Sequence, residues 1–289
     1  MKFGLAFATT GPAIEGPGLA EIARTAERLG YDSLWSVEHV VVPVGYTSQY
    51  PYGQNGPPEK ISIPDPFIPL AYAAAVTSTI RLGTAAAVLP EHQPLRIAKT
   101  VATLDRLSGG RAILGVGVGW LKEEYEALQI DFASRGRRLE AMVEALRELW
   151  GDGPSSFESE FFSWGPIESN PKPARPGGVP IHITGHAPVV ARRAARIGDG
   201  FLPGLNSVEE FEAIIAVVRE ECDRIGRDIA EIELTAGCNI ASYDVDTVRR
   251  FADAGANRVH SVAFGETVQE VCDQLTRYAD EVMSVVGVD

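Results

Sequence analysis

The stretch Arg81-Leu-Gly-Thr-Ala-Ala-Ala-Val-Leu-Pro90, with its continuation to Gly115-Val-Gly-Val-Gly-Trp120, decides the fold. Arg81 to Leu89 is an apolar run closed by Pro90, Leu95 to Leu107 repeats apolar residues at helical spacing, and Arg111 to Val118 is apolar again. The segment reads as strand, helix, strand, one βαβ unit. Thr84-Ala-Ala-Ala87 and glycines 115, 117 and 119 put almost no side-chain bulk near the ends of its two strands. Either something flat lies against that backbone, or these residues form a tightly packed barrel layer.

The same alternation extends in both directions. Lys2 to Ala8 reads as a first strand, followed by a helix with Leu19, Ile22, Ala23, Ala26 and Leu29 on one face and Gly30 at its end. Ser33 to Val37 is a second strand running into Glu38-His39, and Asp65-Pro66 caps a helix over Phe67 to Ser78. After the central unit, Arg135, Arg137 and Arg138 are expected in a loop before a helix bearing Leu139, Met142, Val143, Leu146 and Leu149. Strands are then expected at Pro180 to Thr184, Asp199 to Leu202, Glu231 to Ile240 and Arg258 to Phe264. The intervening helices are signalled by Pro188, by Ser207-Val-Glu-Glu210 and Thr267-Val-Gln-Glu270 as capping boxes, and by Asp244.

Eight strands alternating with eight helices predict a single (β/α)8 TIM barrel over residues 1–289, an α/β fold of parallel strands. An open dinucleotide-binding sheet is disfavoured, because no G-x-G-x-x-G follows the first strand. Two segments lie outside the repeat. Residues 40 to 64 are rich in Pro, Gly, Tyr and Asn and read as an excursion or lid, and residues 151 to 179, with five prolines and five glycines, read as a hairpin-like insertion.

A formal net charge of −13 argues against nucleic acid and against an anionic membrane surface, both of which are held by basic patches. Cys222, Cys238 and Cys272 show no C-x-x-C spacing and are expected to be packed, reduced thiols. The N-terminal apolar run is too short for a secretory signal, and no run of about 18 apolar residues occurs, so a cytoplasmic location is expected. No metal is expected, because His182 and His186 are four apart on a strand and loop rather than on a helix face.

In such a barrel the functional groups sit at the C-terminal strand ends. Glu38-His39, Thr84 to Pro90, the Gly115 to Trp120 run and Ile183-Thr-Gly-His-Ala-Pro188, followed by Arg192-Arg-Ala-Ala-Arg-Ile-Gly-Asp-Gly-Phe201, fall there in order. Together they resemble the bacterial luciferase-like family of flavin and deazaflavin oxidoreductases, over essentially the whole chain. The resemblance implies a cis peptide at Ala85-Ala86 backing the central ring of the cofactor, and a cofactor phosphate at Thr184, Gly185 and His186. Thr84, Gly117 and Trp120 fall in the matching cofactor region, with Trp120 and Tyr125 able to stack on a rim or simply to pack. Luciferases proper carry an arginine beside the fourth-strand glycines for the flavin phosphate, where this chain has Val118.

The expected cofactor is therefore coenzyme F420, with FMN as the alternative. Three functions follow: an F420-dependent oxidoreductase acting on a small-molecule substrate, an FMNH2-dependent monooxygenase supplied by a partner flavin reductase, or a barrel that binds flavin without turnover. His39 is the expected catalytic acid or base, with Glu38 sharing catalysis or bonding the cofactor. Family members commonly pair as homodimers through the second and third helices, and Phe67-Ile-Pro-Leu-Ala-Tyr-Ala-Ala-Ala-Val76 is unusually apolar for an outer helix.

Overall fold

The apolar runs form strands in the expected order: β1 (Lys2–Ala6), β2 (Ser33–Ser36), β3 (Arg81–Thr84), β4 (Ala87–Val88), β5 (Ala112–Gly117), the hairpin pair β6 (Ser155–Glu158) and β7 (Ser163–Ile167), then β8 (Ile181–Thr184), β9 (Gly200–Leu202), β10 (Glu233–Ala236) and β11 (Arg258–Val262). The computed structural model describes residues 1–51, 53, 56, 58, 60–237 and 243–288. Cys238 and the end of the expected strand at Ile240 lie outside the described residues, as do parts of the 40 to 64 excursion. Cys222 and Cys272 are buried free thiols.

All barrel pairings are parallel, in the order β3-β2-β1-β11-β10-β9-β8-β5-β4, and a further β3–β5 pairing closes the ring. β3 and β4 are two halves of one barrel strand: Leu82 and Gly83 pair with Ala112 and Ile113, and Ala87 and Val88 with Val116 and Gly117. The interruption holds a cis Ala85-Ala86 peptide. The result is a closed eight-stranded α/β barrel.

The outer helices are α1 (Gly16–Arg28), α2 (Phe67–Val76), α3 (Pro94–Ser108), α4 (Lys122–Ala127), α5 (Arg135–Trp150), α6 (Pro188–Ile197), α7 (Val208–Ile225), α8 (Val245–Asp253), α9 (Val268–Tyr278) and α10 (Ser284–Val286). Their ends follow the local chemistry. Asp65 Oδ1 accepts from the amides of Phe67 and Ile68, Gln93 accepts from Arg96, and Gly109 and Gly226 end α3 and α7 in the left-handed conformation. Thr267 and Glu270 make a full capping box, whereas Ser207 accepts from the Glu210 amide but turns its own hydroxyl to Glu209.

Other expected boundaries shift for physical reasons. Arg135, Arg137 and Arg138 are not in a loop but on the first turns of α5, and Glu231 belongs to a short helical turn, Ile229–Glu231, before β10. β1 stops at Ala6 because Phe7 takes a φ of 54°. The 151 to 179 insertion forms the antiparallel hairpin β6–β7, with Phe157 and Trp164 stacked at 5.0 Å.

The lower half of the barrel is filled by large side chains. Trp35, His182, His260 and Arg258 are all essentially inaccessible. The Arg258 guanidinium reaches Asp32 at 2.7 Å and Glu233 at 2.9 and 3.2 Å, and Lys2 adds a 2.6 Å bond to Glu233. Burial alone would push the Glu233 carboxyl up, but Arg258 and Lys2 outweigh it and hold that carboxyl far below its ordinary range. Glycines make room for these side chains.

Gly115 shows how tight that layer is. A Cβ there would lie 1.8 Å from the Thr84 carbonyl oxygen, a backbone atom that cannot swing away. Gly115→Ala should destabilise the protein by about 3 kcal/mol, whereas Gly165→Ala on β7, with no atom within 4 Å of the added carbon, should change stability by less than about 0.5 kcal/mol. Urea unfolding of the two variants checks this, and equal midpoints would refute the packing argument.

Candidate active site

Just past the end of β2, the neighbours Glu38 and His39 take separate partners. Glu38 is buried, and its carboxylate accepts from the Val88 amide at 2.6 Å and from His92 Nε2 at 2.9 Å. It therefore ties the end of β2 to β4, just past the Ala85-Ala86 peptide. His39 turns the other way. Its Nδ1 lies 2.7 Å from Glu124 Oε2, and its ring meets the Trp120 indole edge-on at 5.8 Å. With Nδ1–H donating to a carboxylate, the neutral imidazole keeps its lone pair on Nε2, the arrangement of an oriented base.

Glu124 is the residue that sequence reasoning missed. It sits in the first turn of α4, buried, and its second oxygen accepts from the amides of Val40 at 2.6 Å and Val41 at 3.1 Å. Its neighbour Glu123 binds the Thr47 amide at 2.7 Å and the Ser48 hydroxyl at 2.6 Å. These bonds hold Glu123's carboxyl near 2, led by the Ser48 hydroxyl. One helical turn thus fastens the start of the 40 to 64 excursion. Trp120 pins it further, with Tyr46 at 5.7 Å and Tyr50 at 5.2 Å, both edge-on.

Small residues, Ala85, Ala86 and Gly117, form the floor beside the remaining expected residues. Ala85 and Ala86 are half-buried, and the Ala85 amide donates to the Ser36 carbonyl at 2.6 Å, so the floor adjoins the end of β2. Thr84 is buried and its hydroxyl donates to the Gly115 carbonyl at 2.6 Å, which makes it a clasp between β3 and β5. A Cβ at Gly117 would fall 2.9 Å from Thr184 Oγ1 and 3.2 Å from the Ala86 methyl. Gly117, Ala86 and Thr184 are therefore brought together. Gly185, at φ +124°, and His186 then lead into α6, whose N-terminus carries no side-chain cap. Uncapped amides at a helix start favour an anion.

Glu91 brings a further carboxyl group close to Glu124 and Glu38. Both oxygens of Glu91 are closed off from solvent and have no hydrogen-bond partner. Burial, and then the charges of Glu124 and Glu38, push its acid up to about 9. Arg138 does not neutralise it, since that guanidinium is turned to the carbonyls of Pro90 and His92. Among the described residues no group of three or more His, Cys, Asp or Glu could hold a metal ion.

Comparison with known proteins adds three findings. The family model described as luciferase-like monooxygenase matches residues 1–270. An F420-dependent glucose-6-phosphate dehydrogenase of Segniliparus rotundus is 31% identical over 274 residues, spanning 89% of this chain and 76% of that protein. Among solved structures, the monooxygenase RslO1 from Streptomyces bottropensis superposes with a TM-score of 0.78 at 24% identity over 99% and 100% of the two chains. An F420-dependent secondary alcohol dehydrogenase carrying an F420–acetone adduct does so at 0.77 and 17% identity, over 99% of each chain. At those identities the likeness of the structures shows the fold.

Glu91 makes the site's pH response testable. The folded chain keeps a proton on Glu91 that the unfolded chain releases above its ordinary value of 4.5, so this group lowers stability as pH rises from there towards 9. Glu91→Gln removes that titration. The variant's stability relative to the parent should therefore climb by about 1.4 kcal/mol per pH unit between pH 6 and 8. Parallel stability profiles in chemical denaturation across that range would show that Glu91 is already ionised.

Proposed function

This chain belongs to the luciferase-like monooxygenase family, and we propose that within it the chain is a coenzyme F420-dependent oxidoreductase acting on an organic substrate. The observation that carries the reading is His39, oriented by a buried carboxylate and three residues past Ser36, whose carbonyl accepts from the Ala85 amide of the floor. The F420-dependent relative from Segniliparus rotundus supports the choice of cofactor. Val118, where luciferases proper carry an arginine for the flavin phosphate, points the same way.

The residues present fit a flat ring with an anionic tail. Ala85, Ala86 and Gly117 leave its floor free of bulk, and the Thr184-Gly185-His186 turn with the start of α6 offers backbone amides to a phosphate. When bound, the deazaflavin supplies a hydride donor or acceptor at C5. The protein's own part is acid–base and positional. His39 Nε2 takes or returns the proton that accompanies the hydride, Glu124 holds the ring in the required tautomer, and Glu38 supports the floor from behind rather than facing the reaction.

Two copies are proposed to pair through α2 and α3. Ile68 on α2 and Leu107 on α3 are 71% and 70% exposed, unusual for large apolar side chains on adjacent helices. Light scattering should give twice the chain mass, and Ile68→Glu should shift it toward one. A monomeric parent protein at micromolar concentration would end this proposal.

The cofactor reading is tested by fluorescence titration with F420 and FMN, each oxidised and reduced. F420 should bind more tightly, and tight binding of FMNH2 with oxygen consumption would instead support the monooxygenase alternative. Binding of either without turnover of any substrate would leave a non-catalytic barrel. On the same preparations, His39→Ala should lower hydride transfer by about 10²- to 10⁴-fold while cofactor affinity stays within tenfold. Unchanged transfer would remove His39 from the chemistry.

A further inference from the structure

The C-terminal face of this barrel has an unusual balance of charge. Among the described residues of the segments that follow the eight barrel strands, Lys60 and Lys122 are the only Lys or Arg, against ten Asp and Glu, of which Glu91 keeps its proton. Lys122 is paired with Glu126 at 3.0 Å, and Lys60 is exposed. Arg135 and Arg138, on the first turns of α5, are turned to the carbonyls of Phe132 and Pro90. A phosphorylated substrate is held by cations placed for bidentate or point-charge contact. Away from the start of α6, where backbone amides are proposed to hold the cofactor's phosphate, this face offers an acidic field instead, which would raise the free energy of a bound substrate dianion.

Apolar surface is concentrated on the same face, along one arc. β11, β1 and β2 are neighbours in the barrel, and just past their ends stand Phe264, Phe7, Val40, Val41 and Val44, all exposed. The rings of Phe7 and Phe264 are 6.2 Å apart. Phe7 holds the left-handed φ of 54°, which a bulky residue adopts only when its surroundings over-determine it, here through Thr10, whose amide and hydroxyl both donate to the Phe7 carbonyl. The turn presents an aromatic ring to solvent at a strained position. Val40 and Val41 are the two residues that Glu124 fixes beside His39.

We infer that the substrate of this site is a neutral, largely apolar alcohol or carbonyl compound lodged against the Phe7–Phe264–Val40 arc, and not a sugar phosphate. The inference rests on the oxidoreductase reading above and goes further by naming the substrate class. It separates this chain from the relative whose name specifies glucose 6-phosphate.

The experiment measures binding rather than turnover. Isothermal titration with cyclohexanol and with glucose 6-phosphate is run on the full chain, with and without F420, at low and high salt. Cyclohexanol should bind with little dependence on salt, and glucose 6-phosphate should not bind. Phe264→Ser and Phe7→Ser should each weaken cyclohexanol by about five- to tenfold, the loss expected for a partly buried ring contact. Circular dichroism and melting temperature confirm that each variant is folded, and Phe264→Ser carries the test should Phe7→Ser fail to fold. Salt-sensitive binding of glucose 6-phosphate in preference to cyclohexanol would overturn the inference, as would unchanged cyclohexanol affinity in folded Phe264→Ser. The two readings fail separately. Absence of F420 binding with cyclohexanol still held defeats only the cofactor assignment, whereas normal F420 binding with no cyclohexanol binding defeats only the substrate class.

Discussion

The Trp35 indole sets the dimensions of everything around it. It is wholly buried inside the barrel, donates to Ser33 Oγ at 2.8 Å, and packs against His260 at 4.6 Å, with the Arg258 guanidinium 5.5 Å from its ring. A ring of that size on one strand leaves no space for side chains on its neighbours. A Cβ at Gly83 would sit 2.5 Å from the indole, and one at Gly4 2.7 Å from His260 and 2.8 Å from the indole nitrogen. Barrel interiors are packed layers rather than pores, and here one large residue is matched by glycines on the adjoining strands. Burial in turn keeps His182 and His260 neutral, His182 down at about 3.

That lower layer frees the upper one. The Arg258, Glu233, Asp32 and Lys2 network closes the N-terminal end with charges that satisfy one another, so the C-terminal end can be built from Ala85, Ala86, Gly117 and backbone. Stability is concentrated at one end of the barrel and the candidate chemistry at the other.

The alternation of strands and helices was legible because it depends on local periodicity and on caps within a few residues of each other. The glycines were legible only in part. A run such as Gly115-Val-Gly-Val-Gly119 says that side chains are missing, not which neighbour forbids them: Gly115 answers to the Thr84 carbonyl, whereas Gly117 opens toward Ala86 and Thr184. The Ala-Ala-Ala run by itself did not say where its strand divides; the family resemblance placed a cis peptide at Ala85-Ala86, and that is where the strand is interrupted. His39 could be singled out from its place at a strand end, but its partner Glu124 is 85 residues away, and Glu38 meets its partners Val88 and His92 across 50 and 54 residues. Nothing local to Glu-Glu-Tyr-Glu126 or to Pro-Glu-His92 distinguishes them from an acidic helix start and a polar turn.

The division between Glu38 and Glu124 has a mechanical consequence. Each is a carboxylate with two oxygens, and each joins a functional group to a piece of backbone. Glu38 joins His92 to β4, while Glu124 joins His39 to the amides of Val40 and Val41. The His39 ring and the first residues of the excursion therefore share one anchor. Any movement that lifts residues 40 and 41 away from α4 also takes donors from the carboxylate that orients the imidazole. Glu123 repeats the fastening one step further along, at Thr47 and Ser48, and Trp120 adds Tyr46 and Tyr50. The start of the excursion and the imidazole proposed to move the proton are thus coupled through the first turn of a six-residue helix. Changes of sequence in the excursion can alter what enters the site, but only those that keep the amides of residues 40 and 41 on Glu124 will leave His39 aimed as it is.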